Sequence, residues 1–334
     1  MRKSLFIILV CILTVGFTPH FVQAQSDFNV NRIQQILSIS INPEMPKANE
    51  QVSIKIESSA YELNAATITW TVDTKQISSG IGRKTFSFFT GKLGSQTHIS
   101  ILITPPGAEP FRKDLYFTPT DVALVWEAKT YTPPFYAGKA LFSNQSTLSV
   151  TAIPDFITKD GRRLDPSTLI YKWKRNNKAQ GSLSGYGIRT LTISGSTLGL
   201  PEKISVLVSS QDGTFMGEEA VTVTPTNPTV FLYENTPLYG VLYNKALGDS
   251  FAMGEKESSF SAVPYFFNRS SASDVLNFNW TVNNSPSGDK DSDIITLRND
   301  EGAEGRSILG LEVANIGNTF QTARKSISVF FNTQ

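Results

Sequence analysis

Ile68-Thr-Trp70-Thr-Val72 is the stretch that decides the fold, because apolar and polar side chains alternate in it around a tryptophan. Alternation of this kind is typical of a β-strand that buries one face. Related stretches return as Ile170-Tyr-Lys-Trp173-Lys and Phe278-Asn-Trp280-Thr-Val282, so that the three tryptophans are 103 and 107 residues apart. Self-similarity at a fixed period predicts a β module that is repeated three times.

Other strands of the first module follow the same alternation. In Gln51-Val-Ser-Ile-Lys-Ile-Glu57 the apolar residues face a core and the polar residues face water. Clusters rich in Gly and Ser separate such runs, for example Ser78-Ser-Gly80-Ile-Gly82 and Tyr186-Gly187, and we expect them to be turns. Short strands with turns between them predict an all-β chain built from sandwiches or barrels.

The borders of the modules are marked by a second repeat. Thr118-Pro119-Thr120-Asp121 returns as Thr224-Pro225-Thr226-Asn227, and the two prolines are 106 residues apart. Each copy follows one β run and precedes another. These two sites are therefore predicted domain junctions.

Taken together, the first-module pattern resembles PKD-type and related bacterial immunoglobulin-like modules. The residues that carry the resemblance are Ile68–Asp73, a glycine turn, Phe86-Ser-Phe88, and Gly94 leading to Ile99–Ile103. The segments Trp126–Tyr136 and Lys139-Ala-Leu141 also look like exported multi-module proteins of candidate-phyla (Patescibacteria-type) bacteria. The resemblance implies a surface or secreted, non-catalytic role and names no ligand. The predicted domains are immunoglobulin/PKD-like sandwiches at residues 36–118, 119–225 and 226–334.

The N-terminus has the layout of a secretory signal. Arg2 and Lys3 precede an apolar run from Leu5 to Phe17, and Ala24 provides a small residue before the expected cleavage site. We therefore predict a signal peptide at residues 1–24 and a linker at 25–35. The alternative is an uncleaved anchor, although the run is shorter than the roughly 20 apolar residues that a membrane span needs. We expect the protein to be secreted or associated with the cell surface, with no other transmembrane segment.

Composition excludes several kinds of chemistry from the exported chain. Its single cysteine, Cys11, and one of its two histidines lie in the predicted signal peptide. His98 is then the only histidine of the predicted mature chain. Thiolate metal sites, cysteine nucleophiles and Ser-His-Asp triads then lack their residues. The formal net charge is +1 and the charges are scattered, so no nucleic-acid partner is expected. We predict no cofactor and no enzyme activity, and a hydrolase that uses two carboxylates stays open as an alternative.

The three repeated tryptophans are predicted to be structural. A large aromatic residue on a central strand fills the space between two sheets about 10 Å apart. Trp70, Trp173 and Trp280 each lie among alternating strand residues, which favours the core. The alternative is a row of exposed rings on which sugars stack.

A second aromatic set is predicted to form an interaction surface or an inter-domain surface. Aromatic and proline residues together form rigid surface that binds partners at low entropic cost. The alternative is that these loops pack between modules and fix their angle. The set comprises Tyr131, Pro133, Pro134, Phe135 and Tyr136, with an echo at Tyr239 and Tyr243.

Two polar motifs carry little functional weight. Asp289-Lys-Asp291-Ser-Asp293 has alternating carboxylates, but Ile294 stands where a calcium loop of the EF-hand type has glycine. Whether calcium binds there is left open. Asn268-Arg-Ser270 matches the acceptor pattern for N-glycosylation, which a bacterial-type exported protein is expected to leave bare.

The sequence thus predicts a non-catalytic exported protein that acts in structural scaffolding, adhesion or protein–protein interaction. Its expected partners are other envelope or extracellular proteins or glycans. The alternative from another class is a carbohydrate-binding accessory protein that works beside secreted enzymes. An exposed aromatic row would favour this alternative.

Overall fold

A computed structural model describes residues 37–272, 274–289, 291–300 and 304–331. The predicted signal peptide and linker, with Cys11, lie outside the described residues. Within the described ranges the chain forms 24 strands, two short 3-10 helices and no α-helix. No helix in that part of the chain is long and apolar enough to cross a membrane.

The chain divides into two compact units. One contains the described residues up to Ile41 together with Ser53–Phe86 and Ser100–Asp114, and the other contains Asn42–Val52, Ser87–Ile99 and the described residues from Leu115 onward. This division by packing differs from the three predicted domain ranges, which stay predictions. The described residues form six β-sheets.

The first pair of sheets forms a sandwich with orders β1-β2-β5 and β4-β3-β6-β7. In β2, Ile54 and Ile56 are fully buried while Lys55 and Glu57 are exposed, as the alternation predicts. The strands are β1 (Leu37–Asn42), β2 (Gln51–Ser58), β3 (Thr67–Val72), β4 (Lys75–Ile81), β5 (Thr85–Phe89), β6 (Thr97–Thr104) and β7 (Phe111–Phe117).

The second sandwich has sheet orders β13-β9-β8 and β11-β10-β14-β15, with β12 also paired to β10. Its single core cluster includes Trp173, Tyr171 and Val206. The elements are β8 (Asp121–Ala128), β9 (Thr147–Asp155), η1 (Pro166–Thr168), β10 (Ile170–Arg175), β11 (Lys178–Ala179), η2 (Gly181–Leu183), β12 (Gly185–Tyr186), β13 (Thr190–Ser194), β14 (Glu202–Ser209) and β15 (Met216–Val223).

The third sandwich has sheet orders β17-β16-β19-β22 and β18-β24-β23-β20-β21. It keeps the strand pattern of the second and adds β17 at the edge of one sheet and β18, parallel to β24, at the edge of the other. The strands are β16 (Thr229–Thr236), β17 (Gly240–Ala246), β18 (Ser250–Met253), β19 (Glu257–Tyr265), β20 (Leu276–Val282), β21 (Ser285–Pro286), β22 (Ile294–Arg298), β23 (Gly305–Asn315) and β24 (Thr322–Phe331).

Each sandwich places its repeated tryptophan, Trp70, Trp173 or Trp280, on the corresponding strand, β3, β10 or β20, and buries it. The indole N–H donates to a backbone carbonyl two residues before the next strand of the opposite sheet begins. The acceptors are Arg83 for Trp70 (2.9 Å), Ile188 for Trp173 (2.9 Å) and Ser292 for Trp280 (2.8 Å). In all three cores, therefore, the indole ring is buried and its N–H group has a hydrogen-bond acceptor.

Two of the expected turns are wrong. Ser78–Ile81 belongs to β4, where Gly80 lies opposite Ile68, and only Gly82 (φ 70°) turns the chain. Tyr186 belongs to β12, and the turn falls on Gly187 (φ 70°). Glycine in a strand allows close backbone approach as well as turns, so composition alone did not separate the two.

The tight hairpin turns use asparagine instead of glycine. Asn176 and Asn177 join β10 to β11 with φ of 50° and 64°, and Asn283 and Asn284 join β20 to β21 with φ of 51° and 67°. Positive φ at both central residues is the geometry of type I′ turns, whose twist matches paired strands.

Candidate interaction site between the second and third sandwiches

The segment that follows β8 pairs with the segment that follows β19, so backbone hydrogen bonds join the second sandwich to the third. The amide of Tyr131 donates to the carbonyl of Phe267 (2.7 Å), and the amide of Phe266 donates to the carbonyl of Tyr131 (2.8 Å). Thr130 and Asn268 form an antiparallel bridge beside them. The two sandwiches are thus linked by sheet-like pairing as well as by covalent chain.

A buried polar network surrounds this pairing, centred on Gln321, which is 0% exposed. Its Nε2 donates to Ser143 Oγ (3.2 Å) and to the carbonyl of Asn144 (2.5 Å), both in the second sandwich. Its Oε1 accepts from the amide of Asn268 (2.8 Å) and from Nδ2 of Asn315 (3.0 Å), both in the third. The amide of Gln321 therefore bridges the junction with its donors on one side and its acceptor on the other.

Two further side chains cross the junction. Ser143 Oγ donates to the carbonyl of Phe266 (2.6 Å), and Asn268 Oδ1 accepts from the amide of Thr147 (3.0 Å). Ser143 and Asn268 are both buried. Polar groups buried without partners are costly, and here the partners come from the neighbouring sandwich.

Asp274 anchors the third-sandwich side of the network. Its carboxylate accepts from Asn268 Nδ2 (3.0 Å), Asn318 Nδ2 (2.6 Å) and the amides of Ser270 (2.9 Å) and Ser271 (2.7 Å). Burial alone raises the pKa of Asp274, but these hydrogen bonds outweigh it, so the pKa lies below its ordinary value. The ionised carboxylate holds Asn268 in place for the contact with Thr147.

Aromatic rings cover the outer face of β16 and β19 next to the network, and we call Phe135, Tyr136, Tyr233, Tyr243 and Tyr265 the aromatic cap. Phe135 stacks on Tyr243 with 4.4 Å between ring centroids, and Tyr136 meets Tyr265 edge to face at 5.7 Å. The hydroxyls of Tyr233 and Tyr265 lie 3.3 Å apart. Burial, and then the hydrogen bond with Tyr233, raise the pKa of Tyr265.

A groove of about 350 Å³ lies beside the aromatic cap. Its rings are partly open to solvent, with Phe135 41% and Tyr243 47% exposed. One carboxylate, from Asp293, and no cation occur among the described residues that line it. They are Tyr131, Pro133, Pro134, Phe135, Tyr243, Ser261, Ala262, Val263, Pro264 and Asp293.

The structure brings most of the predicted aromatic set together, but the two copies of the motif differ. The first copy is an irregular loop whose Tyr131, Pro133, Pro134 and Phe135 line the groove, while Tyr136 packs against Tyr265 and Phe266. The second copy is the hairpin between β16 and β17. Tyr243 of that hairpin joins the groove, whereas Tyr239 lies at its tip, 77% exposed.

Sequence reasoning missed the polar network altogether. Gln321 precedes β24 in an unremarkable polar stretch, and Asn268 stood out only through its glycosylation pattern. The one available signal is the spacing of Ser143 and Ser146, both buried in a turn where Ser146 Oγ accepts from the amide of Ser143 (2.9 Å). The side-chain contacts across the junction span 121 to 178 residues, and nothing local in the sequence specifies them.

Three lysines that are separated in the sequence share one face of a sheet in the second sandwich. Lys172 and Lys174 of β10 and Lys203 of β14 are exposed on the outer face of one sheet, and none of them forms an ion pair within the described residues. Arg175, next in the chain, instead pairs with buried Glu202. The alternation Lys-Trp-Lys around Trp173 is the signal that predicts the shared face.

Asp289, Asp291 and Asp293 are the alternating carboxylates that raised the question of a calcium site. Among the described residues, no group of three or more His, Cys, Asp or Glu side chains is placed to hold a metal ion. Asp291 takes a left-handed turn conformation with φ of 69°. His98 is likewise not isolated, since its ring stacks on Tyr116 at 4.7 Å.

The paired antiparallel sheets and their tryptophan-centred cores define an all-β chain of tandem immunoglobulin-like sandwiches, which confirms the predicted fold class. No family model matches the chain, and no curated protein does. The chain does align with solved multi-domain structures. The three N-terminal domains of the bacteriophage RB49 outer capsid protein Hoc are 13% identical, with a TM-score of 0.25, and cover 90% of this chain and 99% of theirs.

Two other solved structures are similar in the same loose sense. The central fibronectin-III array of RIM-binding protein is 11% identical, with a TM-score of 0.30, over 89% of this chain and 96% of that one. Bacteroides ovatus SGBP-B, of a mixed-linkage glucan utilization locus and in complex with a heptasaccharide, is 12% identical, with a TM-score of 0.21, over 87% and 70%. Because these TM-scores are below 0.5, the likenesses carry no argument about function.

Proposed function

We propose that this chain is a non-catalytic exported protein that serves in scaffolding, adhesion or protein–protein interaction at the cell surface or outside the cell. In this proposal the second and third sandwiches act as one rigid pair that presents binding surfaces at a fixed angle. The rigid pair rests on one observation: the side chain of Gln321 is fully buried and is hydrogen-bonded to both sandwiches. The PKD-type assignment and the bacterial origin stay predictions.

Rigidity follows from what opening the junction would leave behind. Contacts between domains of one chain are ordinarily polar and permit relative motion. Here, separation would break the hydrogen bonds that Ser143, Asn268 and Gln321 make across the junction, each worth about 0.5–1.5 kcal/mol net. It would also part the rings of Tyr136 and Tyr265. The closed arrangement is therefore strongly preferred.

The buried carboxylates support a non-catalytic role. Glu202 accepts two hydrogen bonds from Arg175 and one each from Asn176 and Ser196, and Asp274 accepts from Asn268, Asn318 and backbone amides. A general acid needs a free carboxyl with a raised pKa. Both groups instead have a lowered pKa and no spare position for a substrate.

Rigidity can be measured with two spin labels on the full chain. Lys203→Cys and Lys256→Cys, both exposed, place one label on each sandwich in a chain that carries Cys11→Ser. We expect a single narrow distance between the labels and a broader distribution after Gln321→Ala. A broad distribution without the Gln321 change would contradict the rigid pair. Crosslinking in the envelope fraction would then identify neighbours, and their absence would argue against a surface interaction role.

A further inference from the structure

The groove beside the aromatic cap occupies a gap in a β-sheet. Pairing between β19 and β22 ends at Ser261 and Ile294, and the amide of Ala262 makes the last hydrogen bond on that side, to the carbonyl of Asp293 (2.7 Å). Pairing resumes at Phe266, whose amide donates to Tyr131 on the same side (2.8 Å). Alternate amides along a strand point to the same side, so the donor between these two belongs to residue 264.

Residue 264 is a proline, so the gap has no donor at that position. An extended peptide that added to this edge would lack the hydrogen bond that strand addition requires. The gap extends over four residues, or roughly 14 Å at about 3.4 Å per residue. This length leaves room for a small rigid ligand unit. The proline therefore disfavours a β-strand as the occupant of the groove.

The chemistry of the walls fits a different ligand. Tyr131, Phe135 and Tyr243 supply ring surface, held in place by stacking of Phe135 on Tyr243. Asp293 is a hydrogen-bond acceptor, and the hydroxyl of Ser261 can donate or accept. Sugars offer both apolar C–H faces for rings and hydroxyls for a carboxylate. Without a cation in the lining, the groove does not select an anion.

We propose that this groove binds a unit of a neutral polysaccharide, with Phe135 and Tyr243 as the stacking rings and Asp293 as the acceptor for sugar hydroxyls. The groove volume, about 350 Å³, lies in the range of about 300–1,000 Å³ that is usual for small-ligand sites. The inference depends on the closed junction of the proposed function, since Tyr131 and Ser261 come from different sandwiches. It adds a ligand class to that scaffold.

Binding is tested with the full chain against neutral probes. Microcrystalline cellulose, chitin and insoluble mannan are used in pull-downs, and cellohexaose, chitohexaose and mannohexaose in titration calorimetry. We expect at least one series to bind, and we expect Asp293→Asn, Phe135→Ala or Tyr243→Ala to weaken that binding at least tenfold. Tyr239→Ala removes a more exposed ring at the tip of the same hairpin, outside the groove, and as the control it leaves binding unchanged.

Several outcomes would overturn the glycan proposal. They are the absence of binding to every probe, an equal loss in Tyr239→Ala, or preferential binding of a proline-rich peptide that Asp293→Asn abolishes. Hydrogen exchange at Tyr131 and Phe266 in the same variants separates the two proposals. Protected amides with no glycan binding refute the ligand and leave the rigid pair standing, whereas unprotected amides in the unsubstituted chain refute the pair.

Discussion

Trp173 shows how one side chain can serve both sheets of a sandwich. The indole ring lies in the core cluster with Tyr171 and Val206, and its N–H reaches the carbonyl of Ile188 at the entrance to β13. The ring fills the space between the sheets, and the hydrogen bond fixes the crossing chain. Trp70 and Trp280 make the same contact in the other two sandwiches.

Truncation of this residue is expected to destabilise its sandwich strongly. Trp173→Ala should lower the free energy of unfolding of the second sandwich by about 3–5 kcal/mol, because it removes the ring and leaves a cavity. Trp173→Phe should cost less, since it loses mainly the hydrogen bond to Ile188. Hydrogen exchange of β10 and β14 amides in urea measures the stability of this sandwich separately. A loss as small as that of Tyr239→Ala would contradict the core role.

At the scale of elements, an ion pair ties the end of β10 to the start of β14. Glu202, 1% exposed, accepts from Arg175 Nε (2.8 Å) and Nη2 (2.5 Å). Burial by itself raises the pKa of Glu202, but the hydrogen bonds and charge of Arg175, helped by Asn176 and Ser196, bring it below the ordinary 4.5. In the third sandwich Ser307 takes the place of Glu202, because Asn283 Nδ2 donates to its Oγ (3.2 Å) as Asn176 donates to Glu202, so this sandwich has no carboxylate there.

This pair predicts a pH dependence. Because the folded-state pKa of Glu202 is lowered, its stabilisation is complete above about pH 4.5 and is lost as the pH falls through the folded-state value. Glu202→Gln should lower the free energy of unfolding at pH 7 by about 1.5–3 kcal/mol and flatten its decline below pH 4.5. Urea unfolding from pH 7 to pH 3 tests this, with Glu127→Gln, at an exposed position on β8 of the same sandwich, as the control. An unchanged acid slope in Glu202→Gln would exclude the pair as its source.

At the scale of the whole molecule, the junction decides whether the second and third sandwiches behave as one body. Gln321→Leu keeps the volume of the side chain but removes its donors and acceptor, which leaves Asn268 and Asn144 short of partners. A cost of about 1–3 kcal/mol should speed hydrogen exchange of the Tyr131 and Phe266 amides roughly 5- to 150-fold. Gln76→Leu, at an exposed position on β4, is the matched control.

The spread of that effect is equally informative. We expect the β10 and β14 amides, far from the junction in sequence, to keep their protection in Gln321→Leu, because the second core does not depend on the junction. Loss of protection throughout both sandwiches would mean that the pair unfolds as a single cooperative body. No change at Tyr131 would show that the polar network does not hold the junction closed.

The sequence by itself determined the alternating strands, their faces and the repeated tryptophan of each sandwich, but it predicted turns in parts of β4 and β12. These depend on period-two alternation, which is local and is imposed by the pleat of each strand, as Ile54 and Ile56 illustrate. The sequence did not predict that the two aromatic motifs would adopt different structures. Both are rich in tyrosine and proline, yet one forms a loop and the other a hairpin, because neighbouring strands rather than composition select between them.

Only the tertiary structure decided the junction and its groove. Gln321 meets Ser143 across 178 residues, and Asp293 faces Tyr131 through a gap that exists because pairing stops at Ser261 and resumes at Phe266. Hydrogen bonds between distant residues leave no periodic trace in a sequence, since each partner is an ordinary polar residue in its own neighbourhood. Alternation places side chains on a face, and only the packing of one sandwich on the next specifies what those side chains contact.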